Sequence, residues 1–318
     1  MTGVILAAGK GKRLYPFSDD YPKTLMPVCN KTVIAYQLEL IKSLGIRDVI
    51  IVIGHFGYKI VEFLGHGESM GLNIEYIEQK VPLGIAHAVG LIEPGIKDDF
   101  LLFLGDIFFV SNRFQEFWET YRREKVNCLL AAKYETDSNS IKRNFAIIEN
   151  AEGYVGRVIE KPRYVTTNLK GCGVYIFDRH IFDAIRRTPK TAMRDEYELT
   201  DAIQILLEDG FRVKAASIID DDLNLTCIDD LLAINLKVLK KQDLPNLIGH
   251  DTVVKNSGRI VNSIVGDNVY IEKEIDIMNS VIFSNVNLGA LKSSEIINSI
   301  VTSSGVYQVN NKGNGART

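Results

Sequence analysis

The sequence predicts an α/β protein: a mixed, mainly parallel sheet with helices on both faces, followed by a small β-rich tail. Three observations carry that expectation. Apolar runs of strand length alternate with helical periodicity through the first hundred residues, hairpin signals follow in the middle, and a short internal repeat occupies the C-terminal part.

The first run, Gly3-Val4-Ile5-Leu6-Ala7-Ala8, is wholly apolar and reads as a buried strand. It breaks into Gly9-Lys10-Gly11-Lys12-Arg13-Leu14. Glycine lets successive backbone N–H groups face one concavity without Cβ obstruction, a geometry that binds phosphate oxygens. Lys10, Lys12, Arg13 and Lys23 add positive charge around it. Taken alone, Gly-x-Gly equally fits a tight surface turn, because the third glycine of the dinucleotide fingerprint and the Gly-Lys-Ser/Thr of the Walker pattern are both missing. Val33, Ile34, Leu38, Ile41 and Leu44 then recur at helical spacing and stop at Gly45, and 48–54 is a second buried run, which completes a βαβ unit. Residues 58–64 suit a helix, 74–77 a short strand, 84–92 a helix, and 99–106 a third apolar strand ending on the carboxylate of Asp106. In a parallel sheet ligands collect at the carboxyl ends of the strands, where the glycine loop and Asp106 both fall.

Further along, 128–133 reads as a core strand, and 145–149 and 156–160 flank Gly153 as a hairpin. Residues 170–177 give another strand, 181–186 and 199–208 two helices, and 213–218 a closing strand. Beyond Leu247, Asn-Ser followed by two β-branched residues starts at Asn262, Asn279 and Asn298, a period of about 18 residues or three six-residue strands. This pattern resembles a left-handed parallel β-helix of hexapeptide type, used by acyltransferases and as an assembly module; a short irregular β-domain is the alternative. The expected division is 1–243, 244–309 and a flexible tail over 310–318.

Length and composition set outer bounds. A chain of 318 residues accommodates one domain of roughly 240 residues and a smaller one. The N-terminus starts in a strand with no charged leader, no run approaches about 20 apolar residues, and four scattered cysteines show no Cys-x-x-Cys spacing. A cytoplasmic protein is expected, with no membrane partner, disulfide framework or zinc site. A net charge of −3 with mixed signs gives no reason to expect nucleic acid.

The glycine loop is followed by Pro22-Lys23-Thr24-Leu25-Met26-Pro27-Val28. Together they resemble the signature of the sugar-1-phosphate nucleotidylyltransferases (nucleotide-sugar pyrophosphorylases), Gly-x-Gly-x-Arg-Leu then Pro-Lys-x-Leu-x-Pro-Val, with Lys12 where threonine is usual. The resemblance covers roughly residues 1–240 and is nearest the glucose-1-phosphate thymidylyl- and uridylyltransferases. It implies a Rossmann-like domain in which a sugar-1-phosphate oxygen attacks the α-phosphorus of a nucleoside triphosphate and pyrophosphate leaves, with Mg²⁺ as cofactor. By the same resemblance Arg13 neutralises the triphosphate, Lys23 lies near the reacting phosphate, and Lys161 of Glu160-Lys161-Pro162 grips the sugar phosphate. Leu6, Ala8, Gly9, Gly11 and Lys12 would bind the nucleotide. Gln79, five residues before Gly84 and with Pro82 between them, would pair with a pyrimidine, which favours UTP or dTTP. His87 reads as packing. Glu160, Ala146 and Gly173 would line the sugar site, with glucose-1-phosphate the leading candidate. Asp106 and Asn224 would ligate the metal, and the neighbouring Asp220-Asp221-Asp222 reads as a solvated turn. A homo-oligomer assembled through the tail is expected. Two alternatives stay open: a catalytically inactive regulatory homologue that binds a nucleotide sugar, and a bifunctional enzyme whose tail is an acetyltransferase, with His250 as the tail's one catalytic-histidine candidate.

Overall fold

The structure is a computed structural model that describes residues 1–309 apart from Pro16, 18–20, Met193, Asn256, Ser257 and Lys292, and without the side chains of Lys12 and Ala290. The expected tail over 310–318 lies outside the described residues. The chain divides into two compact units. The first holds Met1–Lys10, Tyr21–Thr24 and Ile34–Asp222; the second holds Gly11–Asp20, Leu25–Val33 and Leu223–Thr318.

The first unit is built on nine strands, β1 (Thr2–Ala7), β2 (Asp48–Ile53), β3 (Asn73–Glu78), β4 (Phe100–Leu104), β5 (Cys128–Tyr134), β6 (Phe145–Glu149), β7 (Val155–Glu160), β8 (Leu169–Phe177) and β9 (Val213–Ser217). They form one sheet in the order β7-β6-β8-β4-β1-β2-β3, with β5 also on β8 and β9 on β5. The pairs β1–β2, β1–β4, β2–β3 and β5–β9 are parallel, while β8 runs antiparallel to β4, β5 and β6. The mixed, parallel-rich sheet expected from the alternation is therefore present.

Helices α1 (Val33–Ser43), α2 (Gly57–Leu64), α3 (Ile85–Gly90), α4 (Phe114–Glu124), α5 (Ser138–Arg143), α6 (His180–Arg187) and α7 (Leu199–Glu208) connect the strands, and α8 (Ile228–Lys241) follows β9. Alternate residues of β1 serve opposite faces. Val4 joins Leu102, Phe177, Phe182 and Ile203 in a core covered by α3, α6 and α7, whereas Gly3 on the other face lies against Ile41 of α1. Helix α4 was not foreseen, although Phe114, Phe117 and Tyr121 carry its buried stripe at i, i+3 and i+7. Its mean hydropathy is low, so the stripe is narrow against six charged or amide residues.

The acidic triplet corrects one expectation. Asp221–Asn224 is a strand rather than a solvated turn, and the Asp222 side chain is fully buried. The strand pairs with Ile107–Val110, and a charge on the core strand β8 meets the Asp222 side chain. All nine residues of β8 are buried, including Lys170, whose Nζ lies 2.6 Å from Asp222 Oδ1 and 3.3 Å from Ser140 Oγ. Lys133 pairs with Asp221 at 3.2 Å and with Glu135 at 3.4 Å. Burial still holds the Asp222 carboxyl above the usual carboxylate range, and its Oδ2 has no partner.

In the second unit, short parallel strands stack in columns. One holds Asn246–Ile248, Ser263–Val265, Val281–Ile282 and Ser299–Thr302, capped by the antiparallel Gly305–Gln308. Another holds Ile260–Val261, Asp276–Met278 and Glu295–Ile297, and a third pairs Val253–Val254 with Tyr270–Ile271. The repeated asparagines turn the chain: Asn262, Asn279 and Asn298 have φ of 47°, 48° and 46°, a left-handed conformation that asparagine tolerates. Ser263, Ser280 and Ser299 follow them into the interior, where the Ser263 and Ser280 hydroxyls each accept from the next serine N–H at 3.1 Å. Helix α8 belongs to this unit by packing. Its fully buried Asn235 donates to the Pro27 carbonyl at 2.9 Å and accepts from the Cys29 N–H at 2.8 Å, which anchors the end of the Pro-Lys-x-Leu-x-Pro-Val motif.

Replacing Lys170 with Met strands the buried Asp222 carboxylate and is expected to cost about 3–5 kcal/mol. The double change Lys170→Met with Asp222→Leu should recover most of that loss. Urea unfolding followed by the fluorescence of Trp118 measures both.

Candidate active site

The switch in strand order lies where β2 pairs on one side of β1 and β4 on the other. In open α/β sheets ligands bind at such a point, outside the carboxyl ends of the strands. Leu6 ends opposite Leu104, and Gly105 N–H continues the pairing by donating to Leu6 O at 2.9 Å. A Cβ on Gly105 would stand 2.6 Å from that oxygen and 2.9 Å from the Thr24 methyl, so only glycine allows the approach. From α1 the buried Gln37 amide donates to the carbonyls of Leu104 and Ile107, both at 3.0 Å, and holds the turn between them. The result is that Asp106 and Lys23 meet, with Lys23 Nζ 3.2 Å from Asp106 Oδ2. The carboxylate is about half exposed and the ammonium mostly covered.

At the carboxyl ends of β1, β2 and β3, an open cavity of about 790 Å³ is lined by Ala8 and Lys10 after β1, by Gly54, His55, Phe56 and Tyr58 after β2, and by Gln79 and Pro82 after β3; Lys23 and Asp106 are not among its lining. Ala8, Gln79 and Pro82 were anticipated from the sequence. The Gly54–Tyr58 contribution was not, and its one sequence signal is its place just past the end of a buried parallel strand. Gln79 is buried, and its Nε2 lies 3.2 Å from Gly84 O and 2.9 Å from His87 Nδ1. His87, read from the sequence as packing, therefore also bonds to Gln79. Gly84 has φ of 107°, and a Cβ there would meet Tyr197 O at 2.5 Å. Leu83 O accepts from Tyr197 N–H at 2.8 Å and Tyr197 O accepts from Ala86 N–H at 3.0 Å, which zips the 79–86 loop to the segment before α7.

That segment meets Glu160 and Lys161. Lys161 takes φ of 43° directly before Pro162, a strained conformation for a residue other than glycine that costs about 1–3 kcal/mol. Its N–H donates to Asn144 O at 2.8 Å, and its Nζ lies 3.5 Å from Glu160 Oε1. Glu160 also accepts from Thr200 Oγ1 at 3.3 Å and has Arg194 Nη2 at 3.7 Å, while Arg194 Nη1 reaches Glu198 at 2.9 Å. Burial raises the pKa of both carboxyls, and Glu160 raises that of Glu198 further. Arg194 was missed in the sequence, where a lone arginine four residues before Glu198 gives no spacing signal of its own.

The remaining predicted residues are placed as follows. Gly9 is exposed, Gly11 takes φ of 62°, and Lys12–Leu14 forms a 3-10 turn from which Arg13 is exposed. Ala146 is buried on β6, and Gly173 on β8 has φ of 71°. Neither lines the cavity at Gln79. Asn224 ends its strand half-buried in the second unit. Among the described residues no group of three or more His, Cys, Asp or Glu side chains is placed to hold a metal. Asp106 is a hard oxygen donor of the kind Mg²⁺ takes when phosphates complete its shell.

The chain matches the nucleotidyl transferase family over residues 2–240 and belongs to it, among the sugar-1-phosphate nucleotidyltransferases. It is 35% identical over 247 residues to the low-salt glycan biosynthesis nucleotidyltransferase Agl11 of Haloferax volcanii, which covers 77% of this chain and 68% of that protein. It is 34% identical over 265 residues to a glucose-1-phosphate thymidylyltransferase of Streptomyces antibioticus, which covers 82% of this chain and 72% of that protein. A crystal structure of UDP-glucose pyrophosphorylase complexed with UDP-glucose has the same fold, with a TM-score of 0.68 and 20% identity over 76% of this chain and 98% of that one.

Replacing Gly84 with Ala should push the 79–86 loop off Tyr197. A displacement of about 1 Å lowers kcat/KM on the order of 100-fold. Steady-state kinetics beside an unchanged far-UV circular dichroism spectrum checks it.

Proposed function

We propose that the chain transfers a uridylyl or thymidylyl group from UTP or dTTP to a sugar-1-phosphate, with glucose-1-phosphate the leading candidate. The observation that carries this reading is the meeting of Lys23 and Asp106 past the carboxyl end of β4, on the sheet edge where the cavity past β1, β2 and β3 is lined by Gln79. A phosphate oxygen of the sugar-1-phosphate forms a bond to the α-phosphorus as the bond to the β-phosphate oxygen breaks, and pyrophosphate carries the electron pair away. No protein nucleophile is needed. Two anions must be held in line and the leaving charge met, which is work for cations and fixed dipoles.

Arg13 is assigned to the triphosphate and the departing pyrophosphate, Lys23 to the α-phosphate, and Lys161 to the sugar phosphate. The strained backbone at Lys161 supports the last role, because strain of this kind gathers at sites that hold a side chain in one direction. Glu160 would accept from sugar hydroxyls, with Ala146 and Gly173 closing the pocket. Leu6, Ala8, Gly9, Gly11 and Lys12 are assigned to the nucleotide with Gln79, Pro82 and Gly84. Asp106 would hold Mg²⁺, with Asn224 as the expected second oxygen ligand. When bound, the metal neutralises phosphate charge and templates its oxygens.

The columns of the second unit, with rungs 17 and 19 residues apart, support reading it as a left-handed β-helix used for self-assembly. No described helix is long and apolar enough to cross a membrane, and a cytoplasmic site of action is proposed on the cysteine pattern.

Pyrophosphate release should require Mg²⁺, a sugar-1-phosphate and UTP or dTTP, and should be absent with chelator. Arg13→Ala and Asp106→Ala should each lower kcat by about 10²–10³. Both residues are exposed or half exposed, so the unfolding free energy from urea titration should change by about 0.5 kcal/mol at most. Near-native rates in either variant refute its role. Light scattering on the full chain should give a multiple of 35.6 kDa, and a monomer refutes assembly through the tail.

A further inference from the structure

Gln79 is the buried amide at the wall of the cavity, and an amide can present either its oxygen or its nitrogen to a ligand. Which end faces the ligand decides which base it accepts. Uracil and thymine carry a donor at N3, whereas cytosine carries a lone pair there. An outward oxygen welcomes the first two and repels the third; an outward nitrogen does the reverse.

Two neighbours choose the end. The Gly84 carbonyl, 3.2 Å from Gln79 Nε2, can only accept, so the amide nitrogen must face it. The second hydrogen on the same nitrogen points to His87 Nδ1 at 2.9 Å. An amide nitrogen only donates, so Nδ1 accepts, and the ring carries its proton on Nε2. With both hydrogens engaged, Oε1 is the group left for the cavity. Turning the amide over would set its oxygen against the Gly84 carbonyl oxygen and the Nδ1 lone pair together. His87 sits on the first turn of α3, half-buried, and that turn is itself tied to Tyr197 through Ala86.

We propose that His87 is a positioning residue for base selection: its Nδ1 locks the Gln79 amide with the oxygen outward, so that the site takes uracil or thymine and rejects cytosine. The proposal rests on the reading of Gln79 as the base-recognising residue. It makes pyrimidine discrimination the property of a pair, in which one member touches the base and the other never does.

The test is the ratio of kcat/KM for UTP (or dTTP) to that for CTP, measured as pyrophosphate release in the wild type and three variants. His87→Leu keeps the bulk and removes the acceptor; the ratio should fall about tenfold or more, chiefly through a higher KM for UTP. His87→Asn places an amide oxygen where Nδ1 stood and should keep the wild-type ratio. Gln79→Leu removes the reader itself and should abolish the preference. If His87→Leu leaves the ratio unchanged while Gln79→Leu destroys it, the lock is refuted and the reading of Gln79 stands. If His87→Asn falls as far as His87→Leu, the ring acts by packing and the proposal is again overturned. A preference that survives Gln79→Leu refutes the base assignment and the lock with it.

Discussion

The meeting of Lys23 and Asp106 depends on one close approach. Strands β1 and β4 run side by side, and Gly105 brings the backbone after β4 onto the Leu6 carbonyl and the Thr24 methyl. A methyl group at position 105 would force these segments apart, and Asp106 would leave Lys23. The buried Gln37 amide stiffens the same turn from α1 by bonding carbonyls on either side of it. A carboxylate and an ammonium are thereby held 3.2 Å apart at the sheet's switch point, where the field of both can act on phosphates.

The loop from Gln79 to Gly84 is organised by a second close approach, to the backbone of Tyr197. That contact has two consequences. It aims the Gln79 amide by fixing the Gly84 carbonyl beside it, and it joins the 79–86 loop to the segment carrying Arg194, Glu196 and Glu198. Around that segment the charges are crowded: Glu160 and Glu198 are carboxyls raised by burial, with Arg194 between them. A sugar hydroxyl arriving there would find acceptors already desolvated, which strengthens each hydrogen bond it makes.

The buried Lys170 and Asp222 show how a polar pair can be structural rather than catalytic. A lysine in an otherwise apolar strand would be intolerable alone, and its partner draws Asp221–Asn224 into a strand against solvent. Asp222 is thus held by a charge on β8, 52 residues earlier in the chain.

Much of this was legible in the residues taken in order. The apolar runs fixed β1, β2 and β4 within a residue or two, because a strand buried on both faces must be apolar throughout. The asparagine-serine repeat located the stacked columns, and the ordered motifs at 9–28, 79–84 and 160–162 named the family and, with Gln79 and Pro82, part of the cavity's lining. Local pattern could not reach further. Whether Asp221 and Asp222 form a turn or a strand was decided by pairing with Ile107–Val110 and by Lys170 against Asp222, and whether His87 only packs was decided by the Gln79 amide that folding brings to its Nδ1. Arg194 acquires a role only where two carboxylates from separate elements converge on it. Sequence by itself determined the periodicities and the motifs, since these depend on neighbours along the chain; pairings of charge and hydrogen bond depend on neighbours across it, and those only the tertiary structure decided.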